Sequence, residues 1–173
     1  KRGAGTLTIT NLNAFTGPVA ISGGVVVVSQ LADAGLASPL GAQGAASNNL
    51  ILSGGTLRYT GGTATNNRSF TAGPDAGVWD ITQAGTILTV NTNWYLTGPL
   101  VKRGPGTLRL TNYRYGTAIG SPEVLVEQGT LQFDTTYNFQ GTVLNGGIRL
   151  HITNGATVLC SQQNPLAENP SSL

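Results

Sequence analysis

The stretch Lys1-Arg2-Gly3-Ala4-Gly5-Thr6-Leu7-Thr8-Ile9-Thr10-Asn11 returns as Lys102-Arg103-Gly104-Pro105-Gly106-Thr107-Leu108-Arg109-Leu110-Thr111-Asn112, with eight of eleven positions identical. Its centre, Gly-Thr-Leu-x-apolar, recurs at Gly55-Thr56-Leu57-Arg58-Tyr59, Gly85-Thr86-Ile87 and Gly129-Thr130-Leu131-Gln132-Phe133. Looser versions stand at Gly147-Ile148-Arg149-Leu150 and Ala156-Thr157-Val158. Each copy alternates apolar and polar residues, enters through Gly and leaves through Asn, Gly or Thr. That is the pattern of a short, half-buried strand.

The runs between copies are strand-like too: residues 19–22, 25–29, 50–53, 78–82 and 124–127. No window sustains an apolar period of 3.6. The best helical stretch, 30–45, is broken by Gly35, Pro39, Gly41 and Gly44 into loop or one short turn. The expected fold class is all-β. Short strands alone would also suit a sandwich or barrel. Recurrence of one motif favours a solenoid, in which each repeat stacks on its neighbour and fills the same role. Thr and Asn are residues that build ladders when like stacks on like. The steps Leu7 to Val26 (19 residues), Ile87 to Leu108 (21) and Leu108 to Leu131 (23) suit single coils of a parallel β-helix. The longer step from Val26 to Leu57 needs a loop insertion or an extra coil. The expectation is a single-stranded parallel β-helix of about seven short coils over 1–160, at about 4.8 Å per coil. The tail 161–173, with Pro165 and Pro170, is expected to cap the last coil or act as a linker.

Composition narrows the class. Of the 173 residues, 39% are apolar and 9% charged, with a net charge of +2, so a core can be filled and disorder is not expected. No apolar run approaches the roughly 18 residues that span a bilayer, so no membrane insertion by a helix is expected. Dispersed Lys and Arg make no nucleic-acid stripe. The single Cys160 allows no internal disulfide and no Cys-based zinc site, and is expected as a buried, inert thiol. The chain has no Met and no leader at its start, and reads as a module of a longer exported polypeptide.

The Gly-x-Gly-Thr-Leu-x-apolar-Thr-Asn motif, followed by Phe15-Thr16-Gly17 and a Val/Ile strand, resembles the autotransporter-associated β-strand repeat. The likeness covers 1–28 and 102–134, and residues 40–91 are similar to the segment that separates such motifs. The resemblance implies a right-handed parallel β-helix in a secreted or cell-surface bacterial protein. It implies little about activity, because the repeat serves in passenger domains, surface proteins and modules appended to enzymes.

Catalysis finds no support in the seven acidic residues, Asp33, Asp75, Asp80, Glu123, Glu127, Asp134 and Glu168. Glu123 and Glu127 share a strand face about 13 Å apart, beyond the ~5–9.5 Å of a glycosidase pair. No cluster has metal-ligand spacing, and neither metal nor cofactor is expected. The sole His151 has no Gly-x-Ser-x-Gly partner. Aligning Leu131–Asp134 over Ile148–His151 would make Asp134 and His151 outward neighbours, with Arg109, Gln132 and Arg149 in a second column.

Aromatic residues are the remaining candidates. Phe15, Phe139, Trp79, Tyr59 and Phe133 read as structural or core. Trp94 and Tyr95 are adjacent, and successive strand residues point to opposite sides, so at least one of them should face outward. With Tyr113, Tyr115 and Tyr137 they form a candidate stacking surface for sugar rings, and Arg109, Arg114, Gln132 and Asp134 would supply hydrogen bonds. The expected function is a non-catalytic carbohydrate-binding module for xylan or a related polysaccharide, appended to a secreted glycoside hydrolase. Its architecture would be similar to the β-helical binding modules of bacterial xylanases. The alternative is a structural stalk or adhesin passenger segment of an autotransporter-like surface protein.

Overall fold

The computed structural model describes residues 1–112, 114–115, 123–134, 149–153 and 155–161. Seventeen short strands follow in chain order among them. The first nine are β1 (Thr6–Ile9), β2 (Val19–Ile21), β3 (Val25–Val28), β4 (Leu50–Leu52), β5 (Thr56–Tyr59), β6 (Ala64–Asn66), β7 (Thr71–Ala72), β8 (Gly77–Ile81) and β9 (Ile87–Val90). The rest are β10 (Trp94–Leu96), β11 (Leu100–Arg103), β12 (Thr107–Leu110), β13 (Arg114–Tyr115), β14 (Glu123–Val126), β15 (Thr130–Phe133), β16 (Arg149–Ile152) and β17 (Thr157–Cys160). The only helical turn among the described residues is Ser47–Asn49.

The chain is a parallel β-solenoid. A long sheet stacks β1-β3-β5-β8-β11-β14-β16, a second sheet β2-β4-β7-β10-β13, and a third β6-β9-β12-β15-β17. Every strand pair is parallel, and three expected pairings are found, Leu7 on Val26, Val26 on Leu57 and Leu108 on Leu131, whereas Leu108 pairs with Leu88 and not with the expected Ile87. The chain runs from long sheet to third to second and back. Three successive windings carry a strand on all three sides (β5–β7, β8–β10, β11–β13), while the longest sheet has seven rungs. In the first two windings a loop takes the third side, residues 10–18 and then 29–46. Asn13 and Ser38 bridge these loops. The long step from Val26 to Leu57 is therefore a loop insertion.

Two readings of the repeat are corrected. Leu131 stacks under Val158, not Ile148, and Arg149–Ile152 continues the long sheet above β14. Each winding holds two or three Gly-entered strands, so motif likeness alone does not tell which copies lie on one face. The eleven-residue motif also occupies two different corners. Lys1 lies beside β2 of the second sheet, receiving Ser22 N–H at its carbonyl (2.8 Å), and leads into β1 of the long sheet. Lys102 lies in the long sheet and leads into β12 of the third. From β1 to β12 the chain makes four windings and one further side. The motif encodes a strand–corner–strand unit, and the phase of the winding decides which corner it builds.

The core is a continuous column of Leu, Val and Ile with an aromatic row through its middle. Phe70 meets Trp79 edge-on at 5.1 Å and stacks near Trp94 at 6.5 Å, and Trp94 stacks on Phe133 at 6.0 Å. Burying rings of this size supplies several kcal/mol on the order-of-magnitude scale for apolar area. One cation joins this column. Lys102, fully buried, sits in register between Trp79 and Val126. Its Nζ donates to the carbonyls of Arg103 (2.7 Å), Gly104 (2.8 Å) and Gln128 (3.1 Å). Lys1 repeats the arrangement with Arg2 (3.0 Å), Gly3 (2.7 Å) and Gly23 (2.9 Å). All three ammonium protons find a partner, which is what a buried charge requires.

Candidate functional site

On the outer face of the long sheet, side chains in backbone register alternate in charge. Arg58 lies under Asp80 and Asp80 under Arg103, with Glu127 one winding further on. Arg58 faces outward because its strand neighbours Leu57 and Tyr59 point into the core. Arg58 Nε donates to Asp80 Oδ2 at 2.7 Å, and Arg103 grips Glu127 with Nε at 2.5 Å and Nη2 at 3.1 Å. The hydrogen bonds from Arg103 hold the Glu127 carboxyl below its ordinary range, and the same bonds hold the guanidinium charged. These residues, with Thr82, Pro105 and Gln128, line a shallow groove of about 490 Å³. Each of these two carboxylates, Asp80 and Glu127, is paired with an arginine. Among the described residues no group of three His, Cys, Asp or Glu could hold a metal.

A second charged centre is internal. Arg68 is buried and spreads its guanidinium over the loop that takes the third side of the second winding. It donates to the carbonyls of Ala32 (2.7 Å), Asp33 (3.2 Å), Leu36 (2.9 Å) and Gly41 (2.8 Å), and to Gln43 Oε1 (2.6 Å). Burial lowers its pKa and nearby Asp33 partly restores it.

Among the described residues, those singled out from sequence are divided between the core and two different sheets. Trp94 is a core residue, 0% exposed, with its indole N–H donating to the Asn112 carbonyl at 3.0 Å. Its expected role as a stacking surface is corrected. Of the Trp94-Tyr95 pair it is the tryptophan that turns inward, because the space between Phe70 and Phe133 accepts the larger ring. Tyr95 is half-buried on the second sheet, in backbone register with Thr71 and Tyr115. Arg114 and Tyr115 form β13 on the same sheet. Arg109, Gln132 and Asp134 belong to the third sheet: Arg109 lies under Gln132 and pairs with Asp134, and Gln132 Nε2 donates to Ser161 Oγ at 2.9 Å. Tyr113, Tyr137 and the tail 162–173 lie outside the described residues. His151 and Arg149 stand 3.9 Å from Glu123 on the long sheet and not beside Asp134. Cys160, expected to be buried, is exposed at the end of the last described rung.

The ladder was missed in the sequence because its members are 22 to 24 residues apart. The signal that could have found it is the register of Arg58, Asp80 and Arg103 relative to the Gly-entered strands.

The passenger-associated transport repeat model matches residues 1–28 and 100–119, which are the two motif copies at their two corners. The chain carries autotransporter passenger repeats. A similar protein is the adhesin BmaC autotransporter of Brucella suis biovar 1 (strain 1330), 44% identical over 125 residues. That alignment covers 70% of this chain and 4% of the adhesin, so the chain spans a small part of its relative's length. No solved structure matches. These passenger repeats overturn the reading as a carbohydrate-binding module on a glycoside hydrolase, and the xylan ligand and the linked hydrolase fall with it. The sugar-module expectation rested on exposed rings, and the largest of those rings is in the core. The passenger repeat and its adhesin relative give the chain a secreted or cell-surface location. No helix among the described residues is long and apolar enough to cross a membrane.

Proposed function

We propose that this chain is a non-catalytic stalk segment of an adhesin-like autotransporter passenger, a stiff spacer whose outward polar groups join one winding to the next. The observation that carries this reading is the ladder Arg58–Asp80–Arg103–Glu127, whose charges are spent on each other across windings. The likeness to an autotransporter adhesin supports the same role. A spacer needs axial continuity more than a pocket, and the aromatic row supplies it from within.

The test is a surface-displayed passenger carrying this segment with Arg58→Gln, Asp80→Asn, Arg103→Gln and Glu127→Gln together. Adhesion should persist, with the β-rich circular dichroism spectrum unchanged. Lost adhesion in a folded variant would make the ladder a binding face and remove the stalk reading.

A further inference from the structure

We infer that Lys102, and Lys1 at the matching corner, are register-determining residues: each ammonium selects the one alignment of the next winding that sets a main-chain carbonyl, followed by a left-handed glycine, over its corner. The two motif copies make the same contact although they build different corners. Lys102 Nζ reaches the carbonyl of Gln128 at 3.1 Å, and Lys1 Nζ that of Gly23 at 2.9 Å. The residue after each acceptor is a glycine in the left-handed region, Gly129 (φ 68) and Gly24 (φ 65). On its own winding each lysine takes the carbonyls of the two residues that follow it. The second of these is again left-handed, Gly104 and Gly3, both at φ 75. The backbone step into the next winding is shared as well. Glu127 N–H donates to Lys102 O at 2.9 Å, and Ser22 N–H to Lys1 O at 2.8 Å.

Packing alone leaves this alignment open. Lys102 lies over Val126, and Leu100 over Val124. A slip of two residues would keep every inward residue inward and exchange one apolar neighbour for another. The slip would carry Gln128 and Gly129 away from the corner. A Cβ on Gly129 would meet Gly104 O at 2.4 Å and Gly106 O at 2.5 Å, so a residue with a side chain does not fit where that glycine lies. The slip would also strip a fully buried ammonium of its acceptor in the next winding, a loss that a buried charge tolerates poorly. A methionine in the same place would keep the apolar contacts and carry no such preference. The pair Arg103–Glu127 favours the same alignment, but both partners are partly solvated and the pair is weak. The inference rests on the two cages and stands whether or not the chain is a stalk, a reading that adhesion tests separately.

The experiment is register-specific cross-linking in the full chain carrying Cys160→Ser. In-register partners on adjacent parallel strands stand about 4.8 Å apart and can form a disulfide, whereas partners offset by two residues stand about 8 Å apart and cannot. Val101 lies over Leu125. Val101→Cys with Leu125→Cys should close while Lys102 is present, and Val101→Cys with Glu123→Cys or Glu127→Cys should not. In Lys102→Met the yield of the first pair should fall by at least about threefold, and an offset pair should appear. Lys1, half-buried at the other corner, gives a second variant outside the core. There Thr8→Cys with Val27→Cys reports the register of β1 on β3 and should lose yield in Lys1→Met. A β-rich circular dichroism spectrum shows that each variant is folded, and if Lys102→Met is not, Lys1→Met decides alone. An unchanged yield of the in-register pair in either folded variant overturns the inference. A fall with no offset pair would mean local unfolding and overturn it as well.

Discussion

Lys102 and Gln128 meet across one winding: the buried ammonium of the first donates to the main-chain carbonyl of the second at 3.1 Å. The contact closes a three-carbonyl cage on a charge that sits in an otherwise apolar column. Lys102→Met should keep the packing and strand three acceptors. The expected loss is on the order of 1–3 kcal/mol, because leaving buried polar groups unpaired costs more than a hydrogen bond contributes. Chemical denaturation of the two proteins at neutral pH measures it, and an equally stable variant would reduce Lys102 to a filler of space.

The same lysine gives a pH signature. Desolvation lowers its pKa to about 8 from the ordinary 10.5, with Asp80 partly opposing. Between those values the folded protein holds the neutral amine while the unfolded chain still binds the proton. Stability therefore rises with pH across that window. Tyr59, whose pKa burial raises above 10.0, works against stability only above that point. Denaturation midpoints of wild type and Lys102→Met between pH 8 and 9.5 should diverge in favour of wild type; parallel curves would refute the burial of this charge.

The ladder should behave as a surface network. Arg103→Ala is expected to cost no more than about 1 kcal/mol, and less in high salt, because Arg103 and Glu127 are both partly solvated. Glu127 is held below its ordinary 4.5 by Arg103. Its contribution is present above that value and fades as pH falls through the folded-state pKa. Acid titrations of stability should therefore lose part of their slope below pH 4.5 in the Arg103→Ala protein.

Arg68 clamps the loop at residues 32–43 with five hydrogen bonds. Arg68→Met should cost about 3 kcal/mol or more, since hydrogen bonds to a charged group are worth roughly 1.5–3 kcal/mol each and several carbonyls lose their donor. Limited proteolysis should then cut within 32–43 before any other site. First cleavage elsewhere would show that the loop is held by something other than the guanidinium.

Trp94→Ala should lower stability by about 3–5 kcal/mol, the range for deleting a buried ring. It should do so with no ligand present, as a thermal melt can show. A small loss would mean that the space between Phe70 and Phe133 closes up easily.

Much of the fold was legible because stacking repeats one requirement at each rung. Gly55-Thr56-Leu57 and Gly129-Thr130-Leu131 each place an inward leucine after a turn, and that pattern needs no knowledge of the rest of the chain. The ladder was not legible in the same way. Arg58 and Asp80 are partners only through the register of β5 on β8, which no local stretch contains.

The sequence by itself determined the short alternating strands and their parallel stacking, because one Gly-entered motif recurring along the chain gives each copy the same role on its neighbour. Tertiary structure alone decided which corner each motif copy builds, which of Trp94 and Tyr95 turns inward, and that a lysine lies among leucines. Alternation specifies that neighbours point to opposite sides. Which side is the inside depends on the winding's phase and on the room left by residues tens of positions away.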